Sequence, residues 1–225
     1  MSNIQLLPQN LVNKIAAGEV LERPASAVKE LIENSIDAKS TKINIYIRNG
    51  GKTEIRIVDN GEGIKSSEIE LAIQRHATSK LNDHNLSSIK TLGFRGEALP
   101  SIASVSKMKI ITKSNCEQYG NELSINAGNI GKKKPTAIEG GTTIEVRDLF
   151  FSTPARLKFL KTENYEALLI KKIIQKLALS YPNIDFNFYS NDKSVISTTR
   201  TKNEWDKKVL NNRITELFGE KFLQN

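Results

Sequence analysis

Gly93-Phe94-Arg95-Gly96-Glu97-Ala98-Leu99 sets two glycines around an aromatic ring and a guanidinium, then runs directly into a short apolar helix pattern. Such a stretch folds as a loop whose free backbone amides converge on an anion at a helix N-terminus. It lacks the Lys-Ser/Thr ending of a Walker A loop, and no G-x-x-x-x-G-K-S/T string occurs elsewhere in the chain. A nucleotide bound here is held by another architecture, and two segments upstream narrow the choice.

The first is Asp59-Asn60-Gly61-Glu62-Gly63, at the end of an expected strand. A carboxylate fixed there accepts from a group that only donates, such as the exocyclic amine of adenine, while the glycines let a flat ligand approach the backbone. A plain tight turn is the competing reading. A calcium loop needs a glutamate at its twelfth position, which is Glu70, and the intervening ligand spacing is wrong. The second is Glu30-Leu31-Ile32-Glu33-Asn34. At 100° per residue Glu30, Asn34 and Asp37 share one helix face, opposite Val28, Leu31, Ile32, Ser35 and Ile36. That polar face is either ordinary solvated surface or the wall of a pocket, where Glu30 orients or deprotonates a water and the Asn34 amide oxygen holds Mg²⁺. Ser26, Ala27 and Ala38 on that side are small and leave room for a ligand.

Around these segments the pattern alternates between helix and strand. Pro24 opens a helix over residues 25–38. Strands follow at 42–48 and 53–59, with Asn49-Gly50 as the hairpin turn. Ser67-Glu68-Ile69-Glu70 reads as a capping box opening a helix to His76, and a polar loop covers 79–88. Strands are expected at 107–113, 122–126 and 142–147, with turns at 132–135 and Gly140-Gly141. A long helix over 163–180 ends at Tyr181-Pro182, and a strand pair at 185–190 and 194–199 follows. A further helix over 203–218 opens what reads as a truncated second domain, residues 201–225, because so short a region buries no core of its own.

Composition sets limits. Of 225 residues, 38% are hydrophobic and 26% charged, as in an ordinary globular protein. No apolar run approaches the ~20 residues of a membrane span. The single cysteine, Cys116, excludes an intrachain disulfide, reads as a small filler residue and points to the cytoplasm. A net charge of +8 favours a polyanionic partner, although the lysines are widely dispersed. His76 and His84 do not make a metal site; His76 is expected to pack on its helix, and Trp205 and Phe150-Phe151 to fill core.

Taken in order, these strings resemble the N-terminal ATPase region of the MutL family of mismatch-repair proteins, in the GHKL group with gyrase B subunits and histidine kinases. The strings are Ile15-Ala16-Ala17-Gly18-Glu19-Val20, Arg23-Pro24-Ala25-Ser26, Lys29-Glu30-Leu31-Ile32-Glu33-Asn34-Ser35 and Asp59-Asn60-Gly61-Glu62-Gly63-Ile64. Arg75-His76-Ala77-Thr78-Ser79-Lys80, the opening segment, and Leu149-Phe150 with Thr153-Pro154-Ala155-Arg156 complete the match over nearly all of residues 1–200.

The resemblance implies an α+β fold, the two-layer Bergerat sandwich with a mixed, mostly antiparallel sheet and helices on one face. It implies ATP and Mg²⁺ as cofactors, Glu30 as general base, Asn34 as the Mg²⁺ ligand, and Asp59 on the adenine amine between Gly61 and Gly63. Thr143 supports the base through water, and Gly93, Arg95, Gly96, Glu97, Ala98 and Leu99 form a lid toward the phosphates. ATP is then expected to order that lid and the 1–20 arm, in which Pro8 and Gly18 are breaks, so that a homodimer closes; Ile4, Leu6 and Leu7 either pack on the partner or belong to a strand or helix that caps its own domain. The implied partners are MutS and other mismatch-repair factors, and DNA, with Arg156, Lys158, Lys161, Lys171, Lys172 and Lys176 as contacts or simply solvated helix faces. A phosphate-contacting lysine from a second domain is absent from residues 1–225, so binding is expected to exceed hydrolysis. A nucleotide-responsive binding module without turnover is the alternative from another class.

Overall fold

The computed structural model describes residues 5–80, 91–93, 95–201 and 206–223. Ile4, His84, Phe94, Trp205 and most of the expected polar loop lie outside them. One sheet organises the rest. Its strands are β1 (Lys42–Arg48), β2 (Glu54–Asp59), β3 (Lys107–Lys113), β4 (Gly120–Asn126), β5 (Asn129–Ile130), β6 (Lys134–Thr136), β7 (Gly141–Arg147), β8 (Asp185–Ser190) and β9 (Lys193–Ser197). They lie in the order β5-β4-β3-β7-β2-β1-β8-β9, with β6 on β4. All pairs are antiparallel except β1 with β8.

The period-two alternation of the strands separates two faces. Ile43, Ile45, Ile47, Ile55, Ile57, Ile110, Ile144, Phe186 and Phe188 are buried on one. There they join Val28, Leu31 and Ile32 of α2 (Pro24–Asp37) and Ile170, Ile174 and Ala178 of α5 (Glu163–Ser180) in one core. Each fully buried isoleucine contributes about 1.5–3 kcal/mol, which fixes the register, since a one-residue slip turns every one outward. The other face is open; Tyr46 stacks on Tyr189 there and carries the Arg56 guanidinium 4.2 Å from its ring centroid. This is the two-layer α+β arrangement that the resemblance implies.

Pro8 caps α1 (Gln9–Val20), and Ala17 and Leu21 enter the core. Gly18 does not break this helix. It makes room: a Cβ there would stand 2.5 Å from Arg156 Nη2. The helix expected over 67–76 is a turn followed by a short 3₁₀ stretch, Leu71–Ile73. The amides of Glu68 and Ile69 both bond Lys65 O, so helical bonding starts before Ser67, while the Glu117 carboxylate takes the Ser66 N–H and His76 adopts φ 63°. His76 is largely exposed rather than packed, 3.6 Å from Glu97. Lys134 and Pro135, expected in a turn, belong to β6, and Cys116 is exposed rather than filling space. Phe150 is core; Phe151 is exposed. Among the described residues no helix is long and apolar enough to cross a membrane.

The last helix, α6 (Lys207–Phe218), packs Val209 and Leu217 inward and receives a bond from Gln175 of α5 at Leu217 O. Its buried Arg213 donates to the carbonyls of Pro182, Ile184 and Thr199.

Candidate nucleotide site

Asp59 closes β2 on the helix-covered face and is held from three directions. Ser35 Oγ of α2 donates to Oδ2 at 2.8 Å; Ser40 Oγ, from the link between α2 and β1, donates to Oδ1 at 3.1 Å; the Gly61 amide donates to Oδ1 at 2.9 Å. Burial pushes the carboxyl pKa up from its ordinary value, and the Gly61 amide, the Ser35 and Ser40 hydroxyls and the Thr142 backbone oppose that rise. From Ser35, Ser40 and Gly61, Oδ1 accepts twice and Oδ2 once, so Oδ2 has capacity for a further donor.

The wall beside Asp59 admits no side chain. A Cβ on Gly61 would stand 2.6 Å from both Ala38 O and Ser40 Oγ, and the Glu62 amide bonds Ala38 O. Gly63 has φ 70°, and a Cβ there would run into Lys113 O. Thr112 Oγ1 accepts the Ile64 amide and donates to Gly141 O, so the Thr142 hydroxyl is the donor in the 2.9 Å Thr112–Thr142 contact. Thr142 pairs with Asp59 and Thr112 and is buried with them. Thr143 pairs with Val58 and Ile111 on the open face. The threonine on the Asp59 side is therefore Thr142, not Thr143; successive side chains alternate across a strand.

The polar face of α2 is not simply solvated surface. Asp37 is 7% exposed and accepts Lys80 Nζ at 2.6 Å, the Leu92 amide at 3.0 Å and the Gly93 amide at 3.2 Å. The same ammonium lies 2.8 Å from Asn34 Oδ1. Glu30 stands half-buried nearby. Burial raises its pKa, Lys29 lowers it, Glu33 raises it, and Lys80 and Arg95 lower it further. The glycine segment thus reaches the helix carrying Glu30 and Asn34 through Gly93. Gly96 adopts φ 62° against Ala77 O, its own carbonyl accepts the His76 amide, and Glu97 caps α3 (Ala98–Ser104). The structure brings Glu30, Asn34, Gly93 and Arg95 into one neighbourhood and Asp59, Gly61 and Gly63 into another, joined by α2 through Ser35.

Arg156, on α4 (Pro154–Phe159), is engaged elsewhere. Its Nη1 donates to Leu21 O at 2.7 Å and Ala17 O at 3.5 Å, closing the C-terminal end of α1. Lys158, Lys161, Lys172 and Lys176 are exposed, while Lys171 is half-buried. Sequence reasoning missed Ser40, Thr142, Lys80 and the anchoring side of Asp37, and read Ser35 as core. Among the described residues, no group of three His, Cys, Asp or Glu is placed to hold a metal.

A sheet covered on one side, with a buried aspartate ending a strand before two glycines and an acid and amide on the helix behind, defines a class of ATPases. The family model for histidine kinase-, DNA gyrase B- and HSP90-like ATPases matches residues 22–149, and the chain belongs to that family. Within it, the chain has the characteristics of the MutL ATPase domain. It is similar to the DNA mismatch repair protein MutL of Thermodesulfovibrio yellowstonii, at 48% identity over 225 residues, all of this chain and 40% of the relative. MutL of Bartonella bacilliformis is 48% identical over 222 residues, 99% of this chain and 36% of the relative. Among solved structures, the Aquifex aeolicus MutL ATPase domain complexed with ADP superposes with a TM-score of 0.73 at 35% identity, covering 88% of this chain and 70% of the other. The chain spans about two fifths of the length of the curated relatives it matches.

Proposed function

We propose that this chain is the ATP-binding and ATP-hydrolysing region of a MutL-type mismatch-repair protein. The observation that carries this reading is the Asp59 carboxylate, buried, fixed by Ser35, Ser40 and Gly61, and still able to accept from a flat donor approaching over Gly61 and Gly63. The adenine amine fits that acceptor. The phosphates then extend toward Gly93–Leu99 and the polar face of α2. Asn34 fits a metal ligand because its amide oxygen already holds a cationic group, the Lys80 ammonium. Bound there, Mg²⁺ would neutralise charge developing on the phosphate oxygens. Glu30 orients a water and takes its proton, and burial strengthens it as a base. Most of the acceleration comes from positioning and electrostatics, which suits a slow cycle serving conformational change.

The remaining elements of the reading extend beyond the site. The 1–20 arm serves ATP-dependent dimerisation, for which Leu6, Leu7, Val12 and Ile15 present apolar surface. Lys158, Lys161 and Lys172 meet DNA without base specificity. MutS and other repair factors are the partners, in the cytoplasm. Titrating the chain with ADP, and comparing ATP turnover with that of Glu30→Ala, tests the core of this reading. Retained binding with lost hydrolysis in the variant is expected; equal turnover in both would refute the role of Glu30, and no nucleotide binding by the native chain would refute the site.

A further inference from the structure

The metal ligand of the proposed site already has a cation on it. Lys80 Nζ sits 2.8 Å from Asn34 Oδ1 and 2.6 Å from Asp37 Oδ2, both within charge-assisted hydrogen-bond range. The Asp37 side chain is 7% exposed, and a carboxylate at that depth is stabilised by a compensating positive charge. Its other partners, the Leu92 and Gly93 amides, are neutral, so the compensating charge is the ammonium. A divalent ion and an ammonium at contact distance repel each other, so the two compete for these oxygens.

We propose that Lys80 is the resident cation of the nucleotide-free site, and that a divalent ion reaches Asn34 only by displacing it. This rests on the nucleotide-site reading above and adds a residue that sets when the metal enters. Exchange of one cation for another keeps Asp37 neutralised throughout, so the pair Asn34–Asp37 is never left with an uncompensated buried charge. Asp37 bonds both Lys80 and the amides leading into Gly93–Leu99, so the exchange is felt by the segment that approaches the phosphates.

The test uses Mn²⁺ alone, followed by electron paramagnetic resonance on the whole chain without nucleotide. Lys80→Met should bind Mn²⁺ at least about tenfold more tightly than the native protein, because the competing charge is gone. Lys80→Arg, which keeps the charge, should remain weak, and Asp37→Asn combined with Lys80→Met should lose the gain. Lys80→Gln is the second neutral variant, used should methionine disturb the fold by circular dichroism. Mn²⁺ affinity unchanged in the folded neutral variant overturns the proposal. ADP titration of the native chain with Mg²⁺ present separates the two failures: binding there with unaltered Mn²⁺ affinity in the neutral variant removes only the role of Lys80, whereas absent ADP binding removes the nucleotide site itself.

Discussion

Asp59→Asn should separate recognition from stability, because the surroundings of Asp59 dictate how the amide must sit. The Gly61 N–H can only donate, so the asparagine carbonyl takes the position of Oδ1, with Ser40 as its second donor. The amide nitrogen then replaces Oδ2 and faces Ser35. That hydroxyl can accept from it and turn its own proton to Leu31 O, already 3.2 Å away. The Gly61, Ser40 and Ser35 partners therefore remain satisfied. The substitution removes a charge that burial disfavours but weakens three charge-assisted bonds, and the opposed effects leave stability within about 1 kcal/mol of the native chain. Binding has no such compensation. The atom with spare acceptor capacity becomes a donor facing the donor of adenine, and losing a charged hydrogen bond plus the donor–donor clash costs about 3 kcal/mol, roughly a hundredfold in affinity. Calorimetric titration with ADP reads the affinity and urea unfolding the stability. Affinity within about threefold of native, in a variant that stays folded, would refute the assignment of Asp59 to the base. A stability loss beyond about 3 kcal/mol would refute the hydrogen-bond assignment. The native carboxyl also predicts a sign. Its folded pKa lies above the ordinary 3.8, so in that window the folded chain keeps a proton that the unfolded chain has released. Its contribution makes stability fall as pH rises through the window; Asp59→Asn should flatten that segment of the profile.

Three further outcomes can be checked alongside. Turnover should fall on acidification as Glu30 takes a proton, with the midpoint above its ordinary 4.5; a midpoint at or below 4.5 would contradict the effect of burial on Glu30. Gly96→Ala should cost about 1–3 kcal/mol in thermal unfolding and weaken nucleotide binding, since φ is 62° and a Cβ would stand 2.5 Å from Ala77 O; an unchanged melting temperature would count against this loop geometry. Arg156→Ala should destabilise by about 1–3 kcal/mol and speed amide exchange in α1, because Leu21 O and Ala17 O lose their guanidinium donor; a loss of DNA binding with no change in α1 exchange would instead make Arg156 a DNA contact.

The parts of the fold that were legible in sequence are those where one local period meets one covered face. β1, β3, β8 and α5 lie at the expected bounds because isoleucine alternates in β1, phenylalanine in β8 and buried Met108, Ile110 and Thr112 in β3, and Thr162 caps the helix with a bond from the Tyr165 amide. The capping box at Ser67 had the right local chemistry, yet Glu117, far along the chain, takes the Ser66 amide and bonding to Lys65 O starts the turn early. Local propensity lost to tertiary contact there. The same limit hid most of the support for the site. Glu30, Asn34 and Asp59 carry distinctive chemistry and stand inside recognisable strings. Ser40 and Thr142 are ordinary small polar residues whose meaning depends on which strand lies opposite. Lys80 meets Asp37 across 43 positions of chain, a pairing that no spacing rule encodes.

The register of β7 shows why resemblance alone misplaces a neighbouring residue. Thr142 and Thr143 are adjacent and chemically identical, and only pairing with Asp59 and Thr112 on one side, or Val58 and Ile111 on the other, distinguishes them. The same alternation explains how a single helix serves two ends of a ligand. Ser35 leaves α2 on its buried face and fixes the carboxylate that reads the base. Glu30, Asn34 and Asp37 leave it on the opposite face, where the phosphates, metal and water belong. A rotation of α2 that improved one contact would withdraw the other, so base recognition and hydrolysis depend on the same rigid body. That rigidity comes from Val28, Leu31 and Ile32 packed into the sheet, so a substitution such as Leu31→Ala should weaken ADP binding and slow turnover together.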